Sequence, residues 1–403
     1  MVTGPVQWSR RRPRSARPPL AAEERGRTSV RAAPERLTVG LEEEYLLVDP
    51  LSRKLGPYSE KVVAAAAPEL GERVGTELTR YQVEARTEVH TDLSALTEQV
   101  RAMRAAVTVA AEQQGVRAIS SGTPVLDEPA PPPVVPDPRY TRSVAAFRAL
   151  DDEQTVCACH IHIGMPDHPA GTLQVSNRLR PWLPVLVALL ANSPYWAGRD
   201  TGYASWRTMV WARWPVAGPP PYFESPAHFD ELVGRCAATG AIMDRSGLYW
   251  DIRPSHHVPT LEVRVADAAY AAEDTALLAA VVRALADTAL RAAASGEPAP
   301  RPEPEMLRAA CWRAARDGLT GHAVDPLTGR LVPARTHVRR MLSWIRPALH
   351  RHGDLEVVRA GWARLCAEGN GADRQRAVHR RRSNLHDVVD HLALCMGPPA
   401  GSV

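Results

Sequence analysis

Hydrophobic and polar residues alternate in several short segments of this chain, a pattern that predicts half-buried strands. These segments are 37–48, 77–89, 116–120, 156–165, 248–252 and 260–266. Apolar residues recur at helical spacing in longer segments, which are 58–69, 93–114, 173–192, 226–238, 272–295, 304–317, 335–349, 354–367 and 383–395. Strands dominate the middle of the chain and helices dominate from about residue 272, without the regular alternation of a parallel sheet. The pattern therefore predicts an α+β fold with an antiparallel sheet.

Two further segments lack either periodicity. The segment 124–138 is rich in proline and longer than a simple turn, so we expect a lid or a surface excursion there. The segment 198–221 is dense in Trp, Arg, Gly and Pro, and we expect it to be irregular and to line a site.

Charged side chains occur two residues apart in three predicted strands. The pairs are Glu42 and Glu44, His160 and His162, and Glu262 and Arg264. Residues two apart on a strand share one face. Taken singly, the pairs could be solvated acids, core histidines and an ordinary ion pair. Taken together they predict a polar sheet face that binds a highly charged group, and divalent metals and phosphates are the candidates.

Composition narrows the class of protein. The chain has 403 residues, of which 45% are hydrophobic, so it can bury a sizeable core. It has no apolar run of 18 residues, so we expect no membrane span and take the cytoplasm as its location. Its six cysteines are scattered without CxxC pairs, so a disulfide scaffold is not expected.

Basic charge is concentrated at the N-terminus. Residues 1–36 hold nine arginines against three glutamates, and we expect a disordered basic tail there. Residues 37–403 are expected to form a single domain whose C-terminal part is helical. That domain shows no basic patch, so we expect no nucleic-acid partner.

Lysine is almost absent, with only Lys54 and Lys61 against 47 arginines. Neither lysine lies in a glycine-rich loop, which excludes a P-loop. If the protein handles phosphate, arginine and metal must supply the positive charge, and the planar guanidinium is suited to that role.

Seven short motifs, taken in order, resemble a known family. They are TVGLEEE at 38–44, EART at 84–87 with HTDL at 90–93, CHIHIG at 159–164, NSPYW at 192–196, DTGYASWR at 200–207, YWDIRPS at 249–255 and PTLEVRVAD at 259–267. This set is similar to glutamate–cysteine ligase type 2, a family of carboxylate–amine ligases. The resemblance runs from about residue 37 to about residue 330.

The resemblance implies a glutamine-synthetase-like catalytic antiparallel sheet with flanking helices. It also implies ATP and Mg²⁺ as cofactors and a weak glutamate–cysteine ligase activity, in which ATP phosphorylates a carboxylate and an amine attacks the acyl phosphate. The partners would be a small-molecule acid and amine, namely glutamate and cysteine, and a homo-oligomer is left open.

By motif match, the resemblance also assigns roles to single residues. The implied Mg²⁺ ligands are Glu42, Glu44, Glu84, His160 and Glu262, with Glu77 as a further candidate. Arg264 is the implied catalytic residue that faces phosphate. Arg207, Arg253 and His162 are the implied nucleotide or substrate contacts.

Two alternatives remain at this point. A metal-dependent amide hydrolase would use His160, His162 and nearby acids to activate water, and it would turn over without nucleotide. A catalytically degenerate member would bind nucleotide without turnover. The ligase instead predicts ADP release that requires both an acid and an amine.

Overall fold

The computed structural model describes residues 36–397. The disordered tail predicted at residues 1–36 therefore lies outside the described residues, apart from Arg36. Within that range no helix is long and apolar enough to span a membrane.

An antiparallel sheet of seven strands forms the centre of the fold. Its strands are β1 (Val39–Val48), β2 (Val74–Thr76), β3 (Gln82–Arg86), β4 (Arg117–Ile119), β5 (Ala158–Gly164), β10 (Ile252–Pro254) and β11 (Thr260–Asp267). They run in the order β10-β11-β5-β1-β3-β2, and β4 pairs with the end of β1. Short two-stranded pairs lie outside this sheet: β6 (Tyr195–Trp196) with β7 (Arg199–Asp200), β8 (Ala217–Gly218) with β9 (Tyr249–Trp250), and β12 (His322–Val324) with β13 (Leu331–Pro333). The predicted α+β class is confirmed.

Helices flank the sheet and make up most of the C-terminal part. They are α1 (Ser59–Leu70), α2 (Leu93–Gln113), α3 (Pro138–Phe147), α4 (Ala149–Asp152), α5 (Ala170–Leu179), α6 (Leu183–Leu190), α7 (Trp206–Trp211), α8 (Pro226–Ala238), α9 (Ala272–Ala294), α10 (Pro304–Asp317), α11 (Ala334–His352), α12 (Leu355–Glu368), α13 (Gly371–Arg382) and α14 (Leu385–Leu394). The predicted helix 173–192 is split into α5 and α6 by a 3₁₀ turn at Arg180–Trp182 that contains Pro181, because proline interrupts helical hydrogen bonding. Pro184 lies in the first turn of α6, where proline is tolerated.

One face of the sheet packs on helices. Alternate residues of β1, among them Leu41, Tyr45 and Leu47, join a core that includes α2 and the almost wholly buried α9. Glu43 points to the same side, where Arg104 of α2 donates to its two carboxylate oxygens at 2.8 and 2.6 Å. This pair is fully buried, so Glu43 is part of the core and Glu42 and Glu44 are left to face the other side.

Several predicted segments differ from the structure. The strand predicted at 77–89 is confined to β3, since the chain turns at Thr79–Tyr81 before it joins the sheet. Helices α3 and α4, which follow the proline-rich segment, and α13 were not predicted. Helix α3 begins with Pro138, and the Asp137 side chain accepts from the Arg139 amide at 2.7 Å. A proline at the first turn and an acidic cap are both signals for a helix start.

Candidate active site

The second face of the sheet is polar, and cross-strand register brings its predicted residues together. Glu42 of β1 lies opposite His160 of β5, and Glu44 lies opposite Glu84 of β3. His162 of β5 lies opposite Glu262 of β11. Four strands thus place acids and imidazoles on one surface, as the spacing predicted.

Three glutamates form what we call the carboxylate cluster: Glu44, Glu77 and Glu84. Each offers an oxygen, and these oxygens lie within 4.8 Å of one another. Burial raises the pKa of Glu44 to about 7, against the opposing charge of Arg207, and Glu84 adds to the rise. Burial and the charge of Glu44 likewise raise the pKa of Glu77 to about 7. Without a cation, the cluster favours protonated acids.

Glu42, His162 and Glu262 form a second group, the mixed cluster, whose ligand atoms also lie within 4.8 Å of one another. The His162 Nε2 atom is 3.5 Å from a Glu42 oxygen and has no hydrogen-bond partner among residues 36–397. Burial would raise the pKa of Glu42, but its hydrogen bond with His160 and the closeness of His162 hold that pKa well below its ordinary value. A carboxylate is therefore available here at neutral pH.

Glu262 is held by two arginines. Arg253 donates to both of its oxygens, at 2.7 and 3.0 Å, and Arg264 donates to one of them. Although burial alone would raise the pKa of Glu262, the charges of Arg264 and Arg253 lower it far below the ordinary value. Its charge is already balanced, so a metal ion at Glu262 would share or replace an arginine contact.

His160 lies between the two clusters and belongs to neither group of three. Its Nδ1 atom is 3.1 Å from Glu42, and its Nε2 atom is 3.9 Å from Glu44 and has no hydrogen-bond partner within the described chain. Burial and the nearby charge of Arg264 lower its pKa to about 4. The ring is therefore neutral at pH 7, the form that binds metal.

A cavity of about 270 Å³ opens over the carboxylate cluster and its neighbours. Its lining includes Glu42, Glu44, Glu77, Glu84, His160, Arg207, Arg253 and Arg264, together with the aromatic residues Tyr140, Trp211 and Trp214. Arg207 donates to the backbone carbonyls of Arg264 and Val265 at 3.2 and 3.4 Å. Arg207 and Arg264 both lie about 6 Å from the Trp211 ring, with guanidinium-to-centroid distances of 5.7 and 6.0 Å. The cavity thus joins an acidic floor to a basic, aromatic wall.

The sequence patterns did not reveal all of these residues. Glu77, which the family motifs offered only as a further candidate, directly follows β2, and the turn at Thr79–Tyr81 separates it from Glu84 of β3, so alternation along the predicted strand 77–89 could not place the two together. Tyr140, Ser143 and Asp151 line the cavity from α3 and α4, which were not predicted. The proline and the acidic cap at the start of α3 were the available signal. The segment 198–221 does line the site, as expected, although it contains the helix α7.

The donor set of the carboxylate cluster fits a hard divalent cation. Mg²⁺ binds through oxygen ligands and usually keeps several waters, and three clustered carboxylates with elevated pKa values need compensating charge. The mixed cluster fits a divalent cation less well, because arginines already bind the Glu262 oxygens. The two unpartnered, buried imidazole nitrogens are compatible with further ligands at its edge.

The amino-acid sequence of this chain is similar to those of known proteins. The profile of Glutamate-cysteine ligase family 2 (GCS2) matches residues 38–391. The chain belongs to this family. It is therefore a member of the glutamate–cysteine-ligase-like carboxylate–amine ligases, as the motifs indicated.

Curated relatives match over most of their length. A Frankia alni protein named "Putative glutamate–cysteine ligase 2-2" is 45% identical over 367 residues, covering 88% of this chain and 95% of its own. A Nocardia farcinica protein named "Putative glutamate–cysteine ligase 2-1" is 47% identical over 370 residues, covering 91% and 96%.

Solved structures confirm the fold. The glutamate–cysteine ligase of Francisella tularensis, solved in complex with AMP, superposes with a TM-score of 0.69 at 11% identity, covering 90% of this chain and 89% of that one. The ligase PafA in complex with the ubiquitin-like protein Pup gives a TM-score of 0.52 at 14% identity, covering 86% and 68%. At these identities the similarity shows the shared fold alone.

Proposed function

We propose that this protein is an ATP- and Mg²⁺-dependent carboxylate–amine ligase with glutamate as the acid and cysteine as the amine. ATP would phosphorylate the side-chain carboxylate of glutamate, and the amine would displace phosphate to form an amide. Free ATP and amino acids are cytoplasmic, so a cytoplasmic location is part of this proposal. The family assignment supports the reaction class, and the names of the curated relatives suggest the substrates.

The observation that carries the proposal is the carboxylate cluster, in which Glu44 is buried and Glu77 and Glu84 are half-buried, beside arginines that line the same cavity. A carboxylate is a poor electrophile, so it needs a phosphoryl group as an activating and leaving group. Phosphoryl transfer depends on neutralising the phosphate oxygens and on aligning donor and acceptor. Acids that hold metal, next to guanidinium groups that can contact phosphate, supply both requirements without lysine.

Each residue has a role in this proposal. Glu44, Glu77 and Glu84 would hold one Mg²⁺, and Glu42 with His160 and Glu262 would complete the ion sites at the other edge of the floor. Bound Mg²⁺ would withdraw charge from the phosphate oxygens. Arg264 would contact the transferred phosphoryl group. Arg207, Arg253 and His162 would position substrate or nucleotide.

Positioning by arginine is consistent with the contacts that hold these side chains. Arg253 also donates to the carbonyls of Ser246 and Leu248, at 2.8 and 2.9 Å, so its guanidinium is fixed on two sides. A guanidinium that is held in place before substrate binds loses little entropy when it accepts an anionic ligand. Arg253 therefore suits two roles: it holds Glu262 in place, and it lines the cavity.

The direct test is an ADP-release assay with Mg²⁺ and ATP. We expect ADP only when glutamate and cysteine are both present, with formation of one γ-glutamyl amide for each ADP. ADP release without an acid and an amine, or amide cleavage without nucleotide, would contradict the ligase. Nucleotide binding without turnover across a panel of acids and amines would favour the degenerate alternative.

Variants test the site within that assay. Glu42→Ala and Glu262→Ala are expected to abolish ADP release while leaving the chain folded. The matched control is Asp230→Asn, which removes an acid that is paired with Arg245 on the surface and that does not line the cavity. Near-wild-type turnover in either glutamate variant would refute the assignment of these residues.

A further inference from the structure

A second cavity lies beyond the basic, aromatic wall of the first. It has a volume of about 750 Å³ and is bordered by α7, the segment 212–219 and α10. Arg207, Trp211 and Trp214 line both cavities and form the partition between them. A cavity of this size can take a small organic ligand.

Asp251 gives this second cavity its chemistry. The residue is only 7% exposed, it lines the second cavity and not the first, and its carboxylate has no hydrogen bond or ion pair with any residue between 36 and 397. Its backbone is fixed, since its amide donates to Gly218 at 2.8 Å and its carbonyl accepts from Arg264 at 2.8 Å.

Arg207, the arginine of the partition, does not neutralise Asp251. The Arg207 guanidinium donates to the carbonyls of Arg264 and Val265 instead. Burial raises the pKa of Asp251 to about 7, although the charges of Arg207 and Arg264 oppose that rise. A buried carboxylate without a partner is costly, so a cationic ligand at this position would relieve a real penalty.

The remaining lining shows what kind of cation would fit. Trp211 and Trp312 provide aromatic surface, which favours an organic ammonium over a hydrated metal ion. A divalent metal would need several oxygen ligands, and the only other acid of this lining is the exposed Glu305 on α10. Arg308, also exposed on α10, has no ion-pair partner within the described residues and could receive a carboxylate.

We infer that the second cavity binds a small free amino acid, with its ammonium group on Asp251 and its carboxylate directed to Arg308. The cavity offers one fixed anion in its depth and one cation on α10, which matches a zwitterion. The binding inference does not depend on the proposed function, and kinetics decides whether the bound amino acid is the amine substrate or a separate ligand.

Calorimetric binding of L-cysteine tests the inference, performed with and without Mg²⁺ and a nonhydrolysable ATP analogue. The Asp251→Asn variant keeps the side-chain shape and removes the charge. Because hydrogen bonds to charged groups are worth about 1.5–3 kcal/mol, we expect its affinity to fall by about tenfold or more. N-acetyl-L-cysteine, which lacks the ammonium group, is expected to bind the wild-type chain no better than the variant. The matched control Asp230→Asn is expected to bind L-cysteine as the wild type does.

A second variant guards against misfolding at Asp251. Ala309 is half-buried on α10 and lines the cavity, so Ala309→Phe would reduce the space for a ligand while Asp251 itself stays unchanged. It is expected to weaken L-cysteine binding as well. Undiminished binding in both variants, equal binding of N-acetyl-L-cysteine, or no L-cysteine binding by the wild-type chain under any of these conditions would overturn the inference.

Kinetics separates the two sources of the ligand. If the bound amino acid is the amine substrate, Asp251→Asn raises KM for cysteine in the ADP-release assay and leaves KM for ATP within about twofold. If it is a separate ligand, binding is lost while KM for cysteine is unchanged. Failure of the ligase assay itself would leave the calorimetric test intact, so the two proposals fail separately.

Discussion

Replacing Glu77 with glutamine should stabilise the metal-free protein. Glu44 and Glu77 have their pKa values raised from 4.5 to about 7. One pKa unit corresponds to about 1.4 kcal/mol, so a rise of about 2.5 costs each ionised carboxylate about 3 kcal/mol at pH 8. Because glutamine cannot ionise, Glu77→Gln is expected to raise the free energy of unfolding by up to about 3 kcal/mol at that pH.

The sign of the pH dependence follows from the direction of the shift. A carboxylic acid whose folded pKa is raised binds its proton more tightly in the folded state, so stability falls as pH rises from about 4.5 to about 7. The advantage of Glu77→Gln should therefore vanish near pH 4 and be complete near pH 8. Urea denaturation in EDTA at both pH values measures it.

Mg²⁺ should reverse the order of stability of the wild-type chain and Glu77→Gln. A ligand present at 100 times its dissociation constant stabilises the folded state by about 2.7 kcal/mol. The wild-type chain is expected to gain stability with Mg²⁺ at pH 8, and Glu77→Gln to gain much less. Glu98→Gln, at an exposed position on α2, is the matched control. A variant less stable than wild type in EDTA at pH 8, or equally stabilised by Mg²⁺, would refute the reasoning.

Three further outcomes are expected. The Arg104→Met variant leaves Glu43 buried without its arginine partner. Its free energy of unfolding, measured by urea denaturation, should fall by about 3–5 kcal/mol, while the stabilisation by Mg²⁺ persists. A fall of less than about 1 kcal/mol would contradict this. Arg264→Lys should lower ADP turnover by about 100-fold, because an ammonium cannot replace a planar fork, and an unchanged rate would count against a phosphate contact. Burial raises the pKa of Glu128 to about 8, so Glu128→Gln should be more stable than wild type at pH 9 and equal to it at pH 4, and a constant difference would disprove that shift.

Strand alternation carried much of the information about the site. Glu42, Glu44, His160 and Glu262 could be placed on one face from their spacing, because the side-chain period of a strand is fixed at two. Register could not be read in this way. That Glu44 meets Glu84 and that His162 meets Glu262 depends on how distant strands align.

What the sequence concealed lies in turns and in contacts between distant segments. The family motifs offered Glu77 only as a further candidate, and its place beside Glu44 and Glu84 depends on the turn that separates β2 from β3. Asp251 reads as an ordinary residue between two short strands, and its isolation becomes visible only when the second cavity is seen. Glu43, unlike Asp251, is neutralised by Arg104 in the core, and this contact also depends on the tertiary structure.

The carboxylate cluster, in our proposal, holds metal for phosphoryl transfer. Its most direct test is anomalous diffraction from crystals grown with Mn²⁺ in place of Mg²⁺ and a nonhydrolysable ATP analogue. We expect an anomalous peak from an ion bonded to Glu44, Glu77 and Glu84, with the terminal phosphate of the nucleotide between that ion and Arg264. A nucleotide bound elsewhere, or a cavity in which these glutamates contact no ion, would contradict it.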